Sequence, residues 1–149
     1  MKTKLLHQQD GQKTFAVVFD TGDEVAAGLL GFAKEKGLAG SHFMAIGALS
    51  DVTFGFFDLS KKDYQKLQIN EQVEVLSLIG NIALNNGEPR LHAHITVGKA
   101  DGTAHGGHLI AAHVRPTLEV ILIESPQHLV RKTDDETGLP LIALDATEL

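Results

Sequence analysis

Short apolar and β-branched runs, separated by polar turns, recur along the chain and predict β-strands. The predicted strands cover residues 14–19, 42–49, 52–57, 73–84, 91–97, 103–114, 118–123 and 139–144. Ser50-Asp51 predicts a tight turn between the second and third strands, and Asp101-Gly102 predicts a hairpin. Residues 59–70 are polar and predict an exposed connection. Residues 73–84 are apolar at most positions, which predicts a strand covered on both faces with a bulge at Gly80.

One long helix is predicted near residues 22–37. Thr21-Gly22-Asp23-Glu24 has the spacing of a capping box, with Thr21 as the N-cap and Glu24 bonding back to its amide. The apolar residues at helical spacing are Val25, Leu29, Phe32 and Ala33. Gly37 supplies the C-terminal stop. A second, short helix is expected from Gln127 onward, followed by a solvated loop at residues 133–138.

These elements predict an α/β fold of the α+β type in one domain spanning residues 1–149. It would be a largely antiparallel sheet with one main helix and a short C-terminal helix. Because one helix covers only part of one side of a large sheet, the remaining apolar face must pack on something else. Another copy of the chain is the economical answer, so the pattern predicts a homo-oligomer. The alternative is a closed barrel that buries its own interior.

Composition narrows the possible chemistry. The chain has 149 residues and no cysteine, which excludes disulfides, thiolate zinc fingers, iron–sulfur clusters and cysteine nucleophiles. Any metal must therefore be bound by His, Asp or Glu. The net charge of −6 repels polyanions and disfavours a free-standing DNA-binding protein. No apolar run approaches the ~20 residues that cross a bilayer, and no signal peptide is recognisable, so a cytoplasmic location without membrane contact is expected.

Three of the eight histidines form a pattern that is typical of a metal site. His92 and His94 project from the same face of a strand. The predicted hairpin returns His108 beside them, and Gly106 and Gly107 would let the backbone come close. Three neutral imidazoles that converge in this way would bind zinc. The alternative is that they are polar strand residues that bind nothing. The other histidines, which are interpreted as surface residues, are His7, His42, His105, His113 and His128.

A metal bound by three histidines keeps a fourth coordination position open to water or a small acid, as in catalytic zinc sites. Catalysis would also need a general base. The candidates are Glu119 and Glu74, each within an apolar strand where a buried carboxylate is costly. Either could instead hydrogen-bond a ligating histidine or form a buried ion pair at a subunit contact. The spacing does not decide among these roles. The sequence has no nucleophile elbow, Walker A loop or dinucleotide fingerprint.

Four ordered motifs carry a resemblance to a known family. They occupy residues 73–81, 91–95, 106–109 and 117–120 and read VEVLSLIGN, LHAHI, GGHL and TLEV. Through these four motifs the chain resembles the plant-and-prokaryote conserved domain (PPC, also written PCC). The resemblance implies a compact α/β domain that assembles as a trimer. It also implies a metal, taken as zinc, on His92, His94 and His108, as in some prokaryotic members.

Plant members of this family bind AT-rich DNA through an Arg-Gly-Arg-Pro hook that precedes the domain. This chain contains no such sequence. The chain's closest approach to a basic patch is a group of three lysines, Lys61, Lys62 and Lys66. These lysines are interpreted as part of a solvated loop. Three hypotheses follow: a trimeric zinc protein associated with DNA or transcriptional partners, a metalloenzyme acting on a small molecule, and a trimeric module whose metal is structural.

Overall fold

Residues 1–145 are described by the structure, a computed structural model. Along these residues the elements are β1 (Lys2–Gln9), β2 (Gln12–Asp20), α1 (Val25–Lys36), β3 (Gly40–Asp58), β4 (Asp63–Ile69), β5 (Val73–Asn85), β6 (Glu88–Gly98), β7 (Ala104–Glu124), β8 (Arg131–Thr133) and β9 (Pro140–Ile142). Seven strands form one antiparallel sheet in the order β1-β2-β7-β6-β5-β3-β4, and β8 pairs with β9 in a separate hairpin. The predicted fold class, a mostly antiparallel sheet with one main helix, is confirmed.

Strand β3 pairs with β7 as well as with β5, so β3, β5, β6 and β7 form a closed cycle of paired strands. The inward-facing side chains of this cycle and the buried face of α1 share one hydrophobic core. The helix contributes the residues that helical spacing predicted: Val25, Leu29, Phe32 and Ala33. Gly37 ends the helix with a left-handed φ of 63°, which a residue without a side chain adopts at little cost.

The predicted N-cap of α1 is wrong by three residues. Glu24 is the cap, and its carboxylate accepts a hydrogen bond from the amide of Ala27. The Thr21 hydroxyl donates instead to the carbonyl of Pro116 on β7. Gly22 also donates its amide to a β7 carbonyl, that of Val114. The chain before the helix is therefore held against β7, which leaves Thr21 too far from the first helical turn to cap it.

The predicted hairpin at Ser50-Asp51 is wrong, because β3 runs through these residues as one strand. Leu49 pairs with Val114 and Asp51 with His113, so long β7 supports β3 on both sides of the predicted turn. Shifts in register there bend the strand without reversing it. In the same way the predicted strands 103–114 and 118–123 are one strand, β7, and the predicted exposed connection at 59–70 contains β4.

The predicted helix from Gln127 is also wrong. This segment runs extended beside the start of β3 and the end of β5, where Leu129 donates to the carbonyl of Ala39 and accepts from the amide of Leu84. Those bonds to neighbouring chain replace the bonds that a helix would make. The segment then enters the β8–β9 hairpin, which overlaps the strand predicted at 139–144.

Strand β5 is not covered on both faces as predicted. Coverage of both faces holds only near its end, where Ile82, Ala83 and Leu84 are all buried. Nearer its start, exposed side chains lie between buried ones, and Leu76 and Ile79 are each 55% exposed. The predicted bulge is displaced as well: the register shift against β6 lies between Val75 and Ser77, whereas Gly80 pairs regularly with Ala93. A side chain at Gly80 would meet the carbonyl oxygen of His92 at 2.5 Å, so the glycine permits close strand approach. Across residues 1–145 no helix has the length and apolar character needed to span a membrane.

Candidate metal centre

The hairpin of β6 and β7 positions the three predicted histidines. His92 and His94 alternate with buried Ala93 on β6, so both project from the face opposite to the core. The antiparallel register places His108 directly opposite His94. The structure therefore brings together the three side chains that the spacing of the sequence selected. Among residues 1–145, these three histidines form the group of potential ligands whose donor atoms lie close enough together to bind one ion.

The ring nitrogens of these three histidines form a small triangle. One donor atom from each ring lies within 4.8 Å of the other two, and the Nε2 atoms of His92 and His94 are 3.3 Å apart. Tetrahedral zinc with bonds of about 2.0–2.1 Å to nitrogen sets neighbouring nitrogens roughly 3.3 Å apart. The His92–His94 edge has that length, and the donor set is the one zinc prefers. The three residues thus fit a zinc ion.

Glycines allow β7 to approach its two neighbours beside the triad. A side chain at Gly106 would lie 2.5 Å from the carbonyl oxygen of Ile95 on β6. At Gly107 it would lie 2.7 Å from the carbonyl oxygen of Gly55 on β3. Any larger residue would push the strands apart here. The paired glycines therefore have the role that the sequence predicts, since they let His108 come close to His94.

Burial keeps two of the three imidazoles neutral. It lowers the pKa of His108 to about 4, with smaller contributions from His92 and His94. It also lowers the pKa of His92, where the positive charge of Arg131 adds to the effect. The Nδ1 atom of His108 is buried and has no hydrogen-bond partner in the described chain. Neutral rings with unused nitrogen atoms have the lone pairs that metal binding requires.

Tyr64 and Arg131 complete the surroundings of the triad, and no sequence pattern predicts either of them there. The Tyr64 ring, on β4, stacks on His108 with centroids 4.7 Å apart and an interplanar angle of 26°. Burial raises the pKa of the Tyr64 hydroxyl. Arg131, at the start of β8, is buried and donates to Asn81 of β5. The one signal for Tyr64 was that it is the single tyrosine of the chain, and Arg131 had none.

A cavity of about 280 Å³ opens beside the triad. Its lining includes His92, His108, Tyr64, Arg90, Arg131 and Leu139. No aspartate or glutamate of the described chain lines it. The cavity therefore combines two of the three imidazoles with positive charge and apolar surface.

The structure does not bring the two candidate carboxylates to the histidines. Glu74 is exposed on β5 and pairs with Gly98, five residues along the strand from Ile79, which pairs with His94. Glu119 is exposed on β7 and pairs with Ile46 of β3, whereas His108 pairs with Gly55 at the other end of that strand. The remaining histidines are exposed as predicted, and His113 contacts Asp51 at 2.9 Å.

Two similar solved structures share this architecture over nearly their whole length. A candidate DNA-binding protein from Bacteroides thetaiotaomicron is 28% identical with a TM-score of 0.86, and the match covers 97% of this chain and 99% of that one. A metal-containing protein from Archaeoglobus fulgidus is 36% identical with a TM-score of 0.81, and the match covers 88% of this chain and 93% of that one.

A curated relative, the bifunctional protein GlmU of a Synechococcus strain, is 30% identical over 120 residues. This match covers 78% of the present chain, which spans only 18% of the relative's length. The family model of the Plants and Prokaryotes Conserved (PCC) domain matches residues 6–126. That range contains the helix, all three clustered histidines and the seven-stranded sheet apart from the first half of β1. The chain therefore belongs to the Plants and Prokaryotes Conserved domain family.

Proposed function

We propose that this protein binds one zinc ion on His92, His94 and His108, and that the ion acts on a small molecule entering from the neighbouring cavity. The observation that carries the proposal is the triangle of ring nitrogens at the wall of a 280 Å³ cavity. Three protein ligands leave one position of a tetrahedral ion for something other than protein. The metal content of the Archaeoglobus fulgidus relative supports the same assignment.

Zinc in such a site would supply a Lewis acid and would lower the pKa of a bound water toward 7. The protein's part is to hold neutral imidazoles in fixed positions and to limit the access of water. The close strand approach at Gly106 and the stacking of Tyr64 on His108 restrict the movement of that ring. The described lining offers no carboxylate as a general base, so Glu74 and Glu119 have no place in the proposed site.

We also propose that the protein works as a cytoplasmic homotrimer. The support is a row of exposed apolar side chains on neighbouring strands: Ile121 pairs with Met44, and Met44 pairs with Ile79. The next residue across the sheet is His94. Adjoining exposed apolar side chains on one face of a sheet are typical of an interface, and this row leads directly to the proposed metal site.

A second candidate is DNA binding, which the description of the Bacteroides thetaiotaomicron relative favours. The charge of this chain opposes it. The net charge is −6, and of the three lysines around β4, Lys61 lies 3.4 Å from a carboxylate oxygen of Asp58. Direct contact would appear as a salt-dependent mobility shift of duplex DNA at near-physiological ionic strength. Failure to bind even at low salt would exclude direct contact.

Elemental analysis of protein purified without added metal or chelator tests the zinc site. We expect about one zinc per chain, lost in a double variant with His92→Ala and His94→Ala. His105→Ala, an exposed histidine on the same hairpin, is the matched control and should keep its zinc. Equal zinc in the double variant and the control would refute the site. A protein with stoichiometric zinc but no turnover on a broad panel of esters, amides and phosphoesters would speak against the catalytic role.

A further inference from the structure

Arg131 is a buried cation with no anionic partner among residues 1–145. The residue is only 6% exposed. Its terminal nitrogens donate to the carbonyl of Pro140 and to the side-chain oxygen of Asn81, which are both uncharged groups. Its Nε atom is buried without a hydrogen-bond partner in the described chain. A buried charge is costly unless it is paired, so this guanidinium calls for an anion.

The position of Arg131 shows where that anion would bind. Arg131 lines the same cavity as His92 and His108, and Arg90 lines it too. Asn81, which accepts from Arg131, pairs with His92 across β5 and β6. The guanidinium and two of the three histidines therefore border the same cavity. Burial lowers the pKa of Arg131, and no acidic side chain opposes that shift.

We infer that the cavity binds a small organic carboxylate whose carboxylate group pairs with the guanidinium of Arg131, next to a zinc ion on the three histidines. The inference rests on the proposed function, since it takes the triad as a metal site. A divalent ion on three neutral ligands, beside Arg131 and with no acidic residue in the described lining, leaves positive charge that an anionic ligand would neutralise. The planar fork of a guanidinium matches the two oxygens of a carboxylate.

The rest of the cavity favours an organic anion over an inorganic one. Leu91, Leu139 and Leu141 add apolar surface to the lining of the same cavity. The volume of about 280 Å³ lies at the small end of the roughly 300–1,000 Å³ that ligand pockets occupy, which suits a small organic molecule. Arg131 lies beyond residues 6–126, the part matched by the family model. The anion contact is therefore inferred for this chain from its own residues.

Titration calorimetry of the zinc-loaded protein with lactate tests the inference. Lactamide has the same size without the charge, and inorganic phosphate represents the other common oxyanion. We expect lactate to bind at least tenfold more tightly than lactamide, and phosphate to bind more weakly than lactate. Arg131→Lys should weaken lactate binding at least tenfold, because an ammonium cannot form the two-pronged contact. Lys132→Gln, the exposed neighbour, is the matched control and should bind lactate normally.

Arg90→Gln provides a variant at an exposed position if Arg131→Lys fails to fold, and it should weaken lactate binding severalfold. Equal binding of lactate and lactamide would overturn the inference, as would phosphate binding in preference to lactate. No lactate binding by protein with stoichiometric zinc would also overturn it, while leaving the proposed zinc site intact. Protein that lacks zinc but still binds lactate through Arg131 would refute the proposed function and keep the carboxylate contact.

Discussion

The Nε2 atoms of His92 and His94 lie 3.3 Å apart, although the two side chains leave β6 from separate positions. At this distance the two nitrogens can share one hydrogen bond, in which one nitrogen carries the proton and the other accepts it. A metal ion would satisfy both nitrogens and His108 at once. Because a metal on all three rings would replace this shared proton, metal binding should change the stability of the folded protein.

Zinc should stabilise the folded protein measurably. A ligand that binds only the folded state at a hundred times its Kd stabilises it by about 2.7 kcal/mol. We expect chelation by EDTA to lower Tm by several degrees and re-addition of zinc to restore it. His108→Ala should abolish the response, while His105→Ala should keep it. Identical melting with and without EDTA, for protein shown to contain zinc, would contradict this prediction.

Metal-free protein should lose stability as the pH falls from about 6.5 toward 4. The folded pKa of His108 is about 4, below its ordinary value of 6.5, so between these values the unfolded chain binds a proton that the folded chain does not. This contribution to the free energy of unfolding is therefore complete above pH 6.5 and is lost as the pH falls toward 4. Each pKa unit corresponds to about 1.4 kcal/mol, and contact of the ring with water reduces the total.

Urea unfolding of EDTA-treated protein at several pH values measures this slope. His108→Gln removes the titrating group and should flatten the slope between pH 4 and 6.5. His128→Gln changes an exposed histidine and should leave the slope as it is. If His108→Gln and the native protein lost stability in parallel, the pH dependence would have to come from other groups.

Two Gly→Ala substitutions should have opposite effects. At Gly106 a methyl group would lie 2.5 Å from the carbonyl oxygen of Ile95, so Gly106→Ala should cost about 1–3 kcal/mol and weaken zinc binding. At Gly31, on the exposed side of α1, nothing lies within 4 Å of the added carbon. Gly31→Ala should therefore stabilise the protein by up to about 1 kcal/mol through helix propensity. Denaturant unfolding with zinc titration measures both; similar behaviour of the two variants would contradict the proposed close approach.

Replacing Ile79 by lysine should break the proposed assembly. Ile79 is 55% exposed in the single chain, so Ile79→Lys leaves the core of each copy untouched but puts a charge into the apolar row. Light scattering after size exclusion should show a trimer for the native protein and a smaller species for the variant. Leu59→Lys, at a position that is 69% exposed in the turn before β4, should stay trimeric. A native protein that elutes as a monomer would refute the assembly.

The hairpin of the metal centre could be predicted from the sequence because its information is local. Asp101-Gly102 marks the turn, strand alternation puts His92 and His94 on one face, and the loop length returns His108 to them. The helix is similarly local: spacing of four buried apolar residues and a C-terminal glycine defined it. Its N-cap was mispredicted, since the competing partner of Thr21 is Pro116, 95 residues away.

Other features depended on pairing between distant segments. A polar Ser50-Asp51 step looks like a turn in isolation, but β7 supplies backbone partners on both sides and keeps β3 continuous. Residues after Gln127 have helical potential, yet Ala39 and Leu84 offer backbone bonds to an extended chain. In both cases bonds to distant strands outweighed the local preference, because a buried backbone group must find a partner.

The sequence alone determined which side chains could bind a metal and that they share one hairpin. Only the tertiary structure decided what surrounds them. Tyr64 reaches His108 because β4 pairs with the end of β3, and Arg131 reaches the cavity because the β8–β9 hairpin lies against Asn81. Neither contact produces a periodic pattern in the sequence, since each depends on segments that are far apart in the chain. The imidazole cluster is thus encoded locally, while the charge and the shape of the cavity beside it come from the fold.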